Sequence, residues 1–218
     1  MFAVPDVVRA KAAAAGMSGW VDGLPDLVAG LADAWDLATG APIVGGTESL
    51  VLEVELADGT PAVLKLIIPA DPAAVANGIT VLRLVAGVGC PRLYRADEAG
   101  AARLMERLGP SLSGLELPLR RRHVILCAAA ARVWRPAPDS GLPTGAAKGY
   151  WLTDFIHDAW DGLGRPCSER AIDHATDCAT RRIGAHDDER AVLAHGDVHQ
   201  WNSLRSEDGF KLVDPDGV

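Results

Sequence analysis

Residues 191–217 read AVLAHGDVHQWNSLRSEDGFKLVDPDG, and this stretch decides the architecture. A short apolar strand over Ala191–Leu193 leads into a polar loop, His195–Gln200. Two further strands, Asn202–Arg205 and Phe210–Asp214, flank the turn Ser206-Glu207-Asp208-Gly209. Counting back from that turn sets Asn202 opposite Val213 and Asp214, beside the loop that carries Asp197. Three oxygen-bearing side chains then converge at one end of a hairpin, a set that suits a hard divalent cation such as Mg²⁺. The same loop has a second reading, in which His195, Asp197 and His199 form a His-x-Asp-x-His metal cluster of a hydrolase.

Upstream, residues 43–68 read IVGGTESLVLEVELADGTPAVLKLII. Alternation followed by an apolar run, with turn residues at Gly45-Gly46 and Asp58-Gly59, predicts strands at Ile43–Val44, Ser49–Leu56 and Ala62–Ile68. Asp71 followed by Pro72 predicts a capped helix reaching Ala86. Strands over Arg92–Ala96 and Ala102–Arg107 then surround the turn Asp97-Glu98-Ala99-Gly100. The first 39 residues have helical spacing broken at Gly16, Gly19 and Gly23, and the chain beyond Leu115 is mainly helical. The fold class is therefore α+β, with a strand-rich unit over 1–108 and a helical unit over 109–218 that meet near Gly109-Pro110. Trp134, Trp151 and Trp160 read as core residues.

Composition narrows the function. The 218 residues carry 21 Lys plus Arg against 29 Asp plus Glu, a formal charge of −8 that disfavours a nucleic-acid partner. No uncharged apolar run is long enough to span a membrane, and the N-terminus lacks the basic-then-apolar pattern of a secretion signal, so a cytoplasmic protein is expected. Four scattered cysteines form no CxxC pair. Lysines number only four, and Lys65 lies inside the apolar strand VLKLII, where its charge needs a partner.

Together these residues resemble the aminoglycoside phosphotransferase family, whose fold is bilobal and protein-kinase-like. His195-Gly196-Asp197 followed by Asn202 matches the HxDxxxxN catalytic loop, and Asp214 stands where the family keeps its metal-binding aspartate. The patterns LMERLGPSL, WRPAP, HGDVHQWN and DPDG look most like the streptomycin 6-kinase and hydroxyurea-kinase branch. The resemblance implies ATP and Mg²⁺ as cofactors and a small-molecule acceptor, aminoglycoside-like or hydroxyurea-like, phosphorylated on a hydroxyl. It implies Asp197 as catalytic base, His195 as a brace for the loop, and Asn202 and Asp214 as metal ligands. Lys65 would grip the ATP phosphates beneath a loop made by Gly45, Gly46, Thr47 and Ser49. Glu106 and Leu108 would lie on the hinge that meets adenine.

Two departures from the family pattern carry expectations of their own. The helix DPAAVANGITVLRLVAG has no glutamate to pair with Lys65, and Gly78 stands near that position, so Lys65 is expected to be less well placed. The sequence also stops four residues after Asp214, where the family continues. The resemblance thus implies an incomplete C-terminal lobe with an exposed apolar face, and a shortened, catalytically impaired kinase that binds nucleotide weakly is the alternative it raises.

Overall fold

A computed structural model describes residues 2–43 and 45–216. Two helices come first, α1 (Asp6–Ala14) and α2 (Ser18–Trp35), followed by β1 (Leu37–Pro42), β2 (Ser49–Leu56) and β3 (Pro61–Ile67). Next come α3 (Pro72–Val85), β4 (Leu93–Asp97) and β5 (Ala102–Glu106). Helices α4 (Leu119–Val133), α5 (Gly145–Gly162) and α6 (Glu169–Gly184) precede the closing hairpin, β6 (Ser203–Ser206) with β7 (Gly209–Leu212). The fold is α+β, with an antiparallel sheet of order β1-β2-β3-β5-β4 followed by helices.

The period-2 rule explains the sheet. In β3, Ala62, Leu64 and Leu66 face Val8, Ala12, Leu24 and Val28 of α1 and α2, and all seven form one apolar core with Leu50 and Leu52 of β2. The alternate residues, Val63, Lys65 and Ile67, face the other side. β3 is almost continuously apolar because both of its faces are covered. A second core joins Val81, Leu82 and Val85 of α3 to Met105, to Ala129 and Val133 of α4, and to Leu193 and Leu212. It ties the helical region to the free face of the sheet.

Helix α3 begins as its sequence predicts. The Asp71 carboxylate accepts from the amides of Ala73 (2.9 Å) and Ala74 (3.2 Å), and Pro72 needs no partner at the first helical position.

Three expectations are corrected. The strand placed at Ile43–Val44 lies earlier, at Leu37–Pro42, and Val44 is outside the described residues. Helical spacing in 36–39 is overridden because Asp36 turns left-handed (φ 55°) and ends α2, freeing Leu37 to pair with Leu56. Ala191–Leu193 is not a strand; the Leu193 amide donates to the Arg135 carbonyl (2.8 Å), and its side chain fills the second core. Trp134 and Trp151 are exposed rather than core, and Trp160 is only half-buried. Tyr150, Leu152 and Phe155 of α5 are exposed as well.

Candidate active site

The site forms where the loop after Leu193 and the β6–β7 hairpin meet the free face of β3 and β5. The hairpin pairs Ser203 with Leu212, and the Val213 amide donates to the Asn202 carbonyl (2.8 Å), which extends the register to the pair read from sequence. Asp214 follows in a left-handed conformation (φ 61°), one that aspartate tolerates better than most residues. The turn aims its carboxylate at β3, where it accepts from the Lys65 ammonium. The partner that Lys65 needs is therefore Asp214, and the ammonium is held without a helix glutamate.

His195 braces the loop. Its Nε2–H donates to the Val213 carbonyl (2.9 Å), while its Nδ1 accepts from the Asp197 amide (3.3 Å). A carbonyl can only accept and an amide N–H only donate, so the ring is neutral with its proton on Nε2. Burial pushes the His195 pKa below its ordinary value, more than the nearby acceptor and carboxylates raise it. Both ring nitrogens are spent inside the protein, which removes His195 as a metal ligand and with it the His-x-Asp-x-His reading. Gly196 (φ 86°) lets the loop approach residues 214–216, because a Cβ there would lie 2.7 Å from the Cβ of Asp216. The Asp216 amide completes the contact by donating to the His195 carbonyl (2.8 Å).

The Asp197 carboxylate is open to solvent. It accepts from Asn202 Nδ2 (3.0 Å) and lies 3.2 Å from His199 Nε2. Asn202 Nδ2 also donates to the Asp197 carbonyl (3.2 Å), so the amide oxygen of Asn202 is the atom left for a cation. Asp214 turns 43% of its side-chain surface to the cavity. Burial by its other neighbours opposes ionisation, yet the charge and hydrogen bond of Lys65, together with the charge of Arg103, hold its carboxyl below the ordinary carboxylate range.

These groups line one cavity of about 940 Å³. Gly45, Gly46, Thr47 and Ser49 form part of its wall, together with Lys65, Asp197, Asn202 and Asp214. Two residues expected on the hinge, Glu106 and Leu108, stand at and just after the end of β5. The Glu106 carboxylate accepts from Lys211 Nζ (2.6 and 2.8 Å) and from the Arg92 amide (2.9 Å), which ties the sheet to β7; neither it nor half-buried Leu108 is on the cavity wall. Arg103, which the sequence reading passed over, is on the wall. Its signal was the one that singled out Lys65, a charge inside an apolar strand, AARLM.

Among the described residues, no group of three or more His, Cys, Asp or Glu side chains is arranged to hold a metal alone. Asn202 and Asp214 fit a cation that takes only part of its shell from protein, as Mg²⁺ does beside phosphates. No helix among the described residues is long and apolar enough to cross a membrane.

Residues 34–218 match the model of the aminoglycoside/hydroxyurea antibiotic resistance kinases. The chain belongs to that family. Streptomycin 6-kinase of Streptomyces glaucescens is 32% identical over 200 residues, covering 90% of this chain and 63% of the relative. Hydroxyurea phosphotransferase of Kitasatospora aureofaciens is 32% identical over 202 residues, covering 90% and 57%. Streptomycin 6-kinase of Streptomyces griseus is 30% identical over 213 residues, covering 90% and 63%. The chain thus spans about three fifths of the length of these antibiotic resistance kinases.

Proposed function

We propose that this chain carries the phosphoryl-transfer centre of an ATP-dependent small-molecule kinase, acting on a hydroxyl of an aminoglycoside such as streptomycin or of a hydroxyurea-like acceptor. The observation that carries the reading is the convergence of Lys65, Asp197, Asn202 and Asp214 on one cavity from three segments: β3, the loop before β6, and the chain after β7. On this reading residues 1–108 are the nucleotide-binding lobe and residues 109–218 bring the catalytic loop and the metal-binding hairpin. A cytoplasmic location, where ATP is available, goes with it.

ATP would supply the transferable γ-phosphoryl group, and Mg²⁺ the charge that neutralises it. Asn202 through its amide oxygen and Asp214 through its carboxylate would hold the cation. Lys65, fixed by Asp214, presents positive charge to the phosphates from β3. The exposed Asp197 carboxylate, held by Asn202 and His199, orients the acceptor hydroxyl and takes its proton. His195 acts through the backbone alone, keeping Asp197 and Val213 in register.

The test is Mg²⁺-dependent ATP consumption with streptomycin, other aminoglycosides and hydroxyurea offered in turn, with Asp197→Ala as control. Acceptor-stimulated turnover that the variant loses supports the proposal. Silence from folded protein across the panel turns the reading toward a catalytically impaired chain.

A further inference from the structure

Arg103 has no place in the mechanism above, yet it is a buried charge on the cavity wall. It is 4% exposed, and burial lowers its pKa to about 10, so it remains a cation at neutral pH. One guanidinium nitrogen, Nη2, donates to the Val75 carbonyl (2.9 Å), while Nε is buried with no hydrogen-bond partner. A desolvated charge with one neutral acceptor and an orphaned donor is unfavourable unless something else completes it.

The nearest carboxylate to act on it, Asp214, is bonded to Lys65 instead. Every carboxylate on the cavity wall is already engaged. Glu48 pairs with Lys11, Asp214 with Lys65 and Asp216 with Lys148. Asp71 caps α3, and Asp197 is held by Asn202 and His199. Among the described residues Arg103 makes no ion pair. It lies directly across the β3–β5 ladder from Lys65, so both cations project from the same face of the sheet.

Helix α3 makes room for this charge at its own expense. Gly78 is buried in mid-helix, where glycine is the poorest choice after proline. A Cβ at that position would lie 2.3 Å from Arg103 Nη2 and 2.7 Å from Nη1. The glycine is therefore the space in which the guanidinium sits. Two local costs, a helix-weakening residue and an unpaired buried cation, have one common explanation.

We propose that Arg103 is a phosphate-binding residue, a second cation beside Lys65 whose guanidinium, seated in the room left by Gly78, holds the anionic tail of the nucleotide. This rests on the cavity being a nucleotide site. A planar guanidinium offers an oligophosphate several donors at once, which a second lysine would not. Tail binding then has a component that does not need the divalent cation.

The experiment is calorimetric titration of the full chain with ATP, inorganic tripolyphosphate and adenosine, each in Mg²⁺ and in EDTA, with thermal melting to verify folding. Arg103→Leu is expected to weaken ATP and tripolyphosphate by roughly 10- to 100-fold, the loss of a charge-assisted hydrogen bond, and to leave adenosine unchanged. Gly78→Ala, which favours the helix, is expected to weaken the same two ligands because its methyl displaces the guanidinium. The double variant Gly78→Ala/Arg103→Leu removes that clash and serves should either single variant fold poorly; it is expected to lack tail affinity while melting no lower than wild type. Equal losses for adenosine and ATP would reduce Arg103 to a scaffold residue and overturn the proposal. So would undiminished tripolyphosphate binding in folded Arg103→Leu, and if Lys65→Ala still weakened ATP, the nucleotide reading would survive alone. A wild-type chain that binds neither ATP nor tripolyphosphate removes both.

Discussion

The N-terminal sheet and the α5–α6 hairpin are built on opposite economies of burial. In the sheet, Leu50, Leu52, Leu64 and Leu66 are wholly buried and sealed by two helices. In the hairpin, Gly149 is the only buried residue of α5 and Ile172 the only one of α6 among the described residues, while Trp151 and Phe155 stack on each other at about half exposure. The cavity's two cations on the sheet, Lys65 and Arg103, are mounted on the first region. The second presents aromatic surface with little beneath it. Precision in this molecule follows buried area, and the site stands at the edge of the well-buried part.

The contrast can be broken or sharpened by experiment. The largest effect is expected at the chemistry itself. Asp197→Ala should lower acceptor-stimulated turnover by roughly 10²- to 10⁴-fold with little change in melting temperature, since an exposed carboxylate is removed. A large fall in melting temperature would mean that the loop also carries the fold. Next comes Leu64→Ala in the sheet, expected to destabilise by about 2–5 kcal/mol in denaturant titrations. A cost below about 1 kcal/mol would show the sheet to be no better packed than the hairpin.

Acid should act on the site through His195. Its folded pKa lies below its unfolded value, so the unfolded chain binds the proton more readily. Stability should therefore decline as pH falls below about 6.5, the ordinary histidine value, and continue to decline down to the folded pKa. His195→Gln should show a shallower slope in that range, measured by melting against pH; an unchanged slope would shift the cause to another group. The smallest effect is expected on the hairpin surface. Trp151→Ala should change stability by no more than about 0.5 kcal/mol, and a larger loss would reveal support there that its exposure does not suggest.

Much of this was legible in the sequence where local signals agree. Strand β2 has the bounds that its alternation gives, and α3 starts at the Asp71-Pro72 cap. Asn202 opposite Val213 followed from turn geometry alone. What stayed hidden depends on contacts distant in sequence. β1 is a strand because Leu56 is there to pair with, not because residues 37–42 prefer it. The apolar Ala191–Leu193 has a strand's composition but no neighbouring ladder to join. Gly78 looked like a missing counter-ion until the register of β3 on β5 brought Arg103 beneath it. Neither residue announces the other, because they are 25 positions apart in sequence with all of β4 between them.

The β6–β7 hairpin can also be regarded as a gauge. Its four-residue arms and tight turn count out the chain between Asn202 and Asp214, while Lys211 and Leu212 fasten it to the sheet and the second core. Side chains alternate across a strand, so one residue inserted at Ser206–Gly209 would slide one arm past the other and turn a ligand away from its mate. Apart from Gly209, at φ 129°, and Asp208, paired with Arg132, the turn could thus change in composition across descendants of this gene while its length stayed fixed. In this protein the tolerance of that turn to change would be measured first in residues counted.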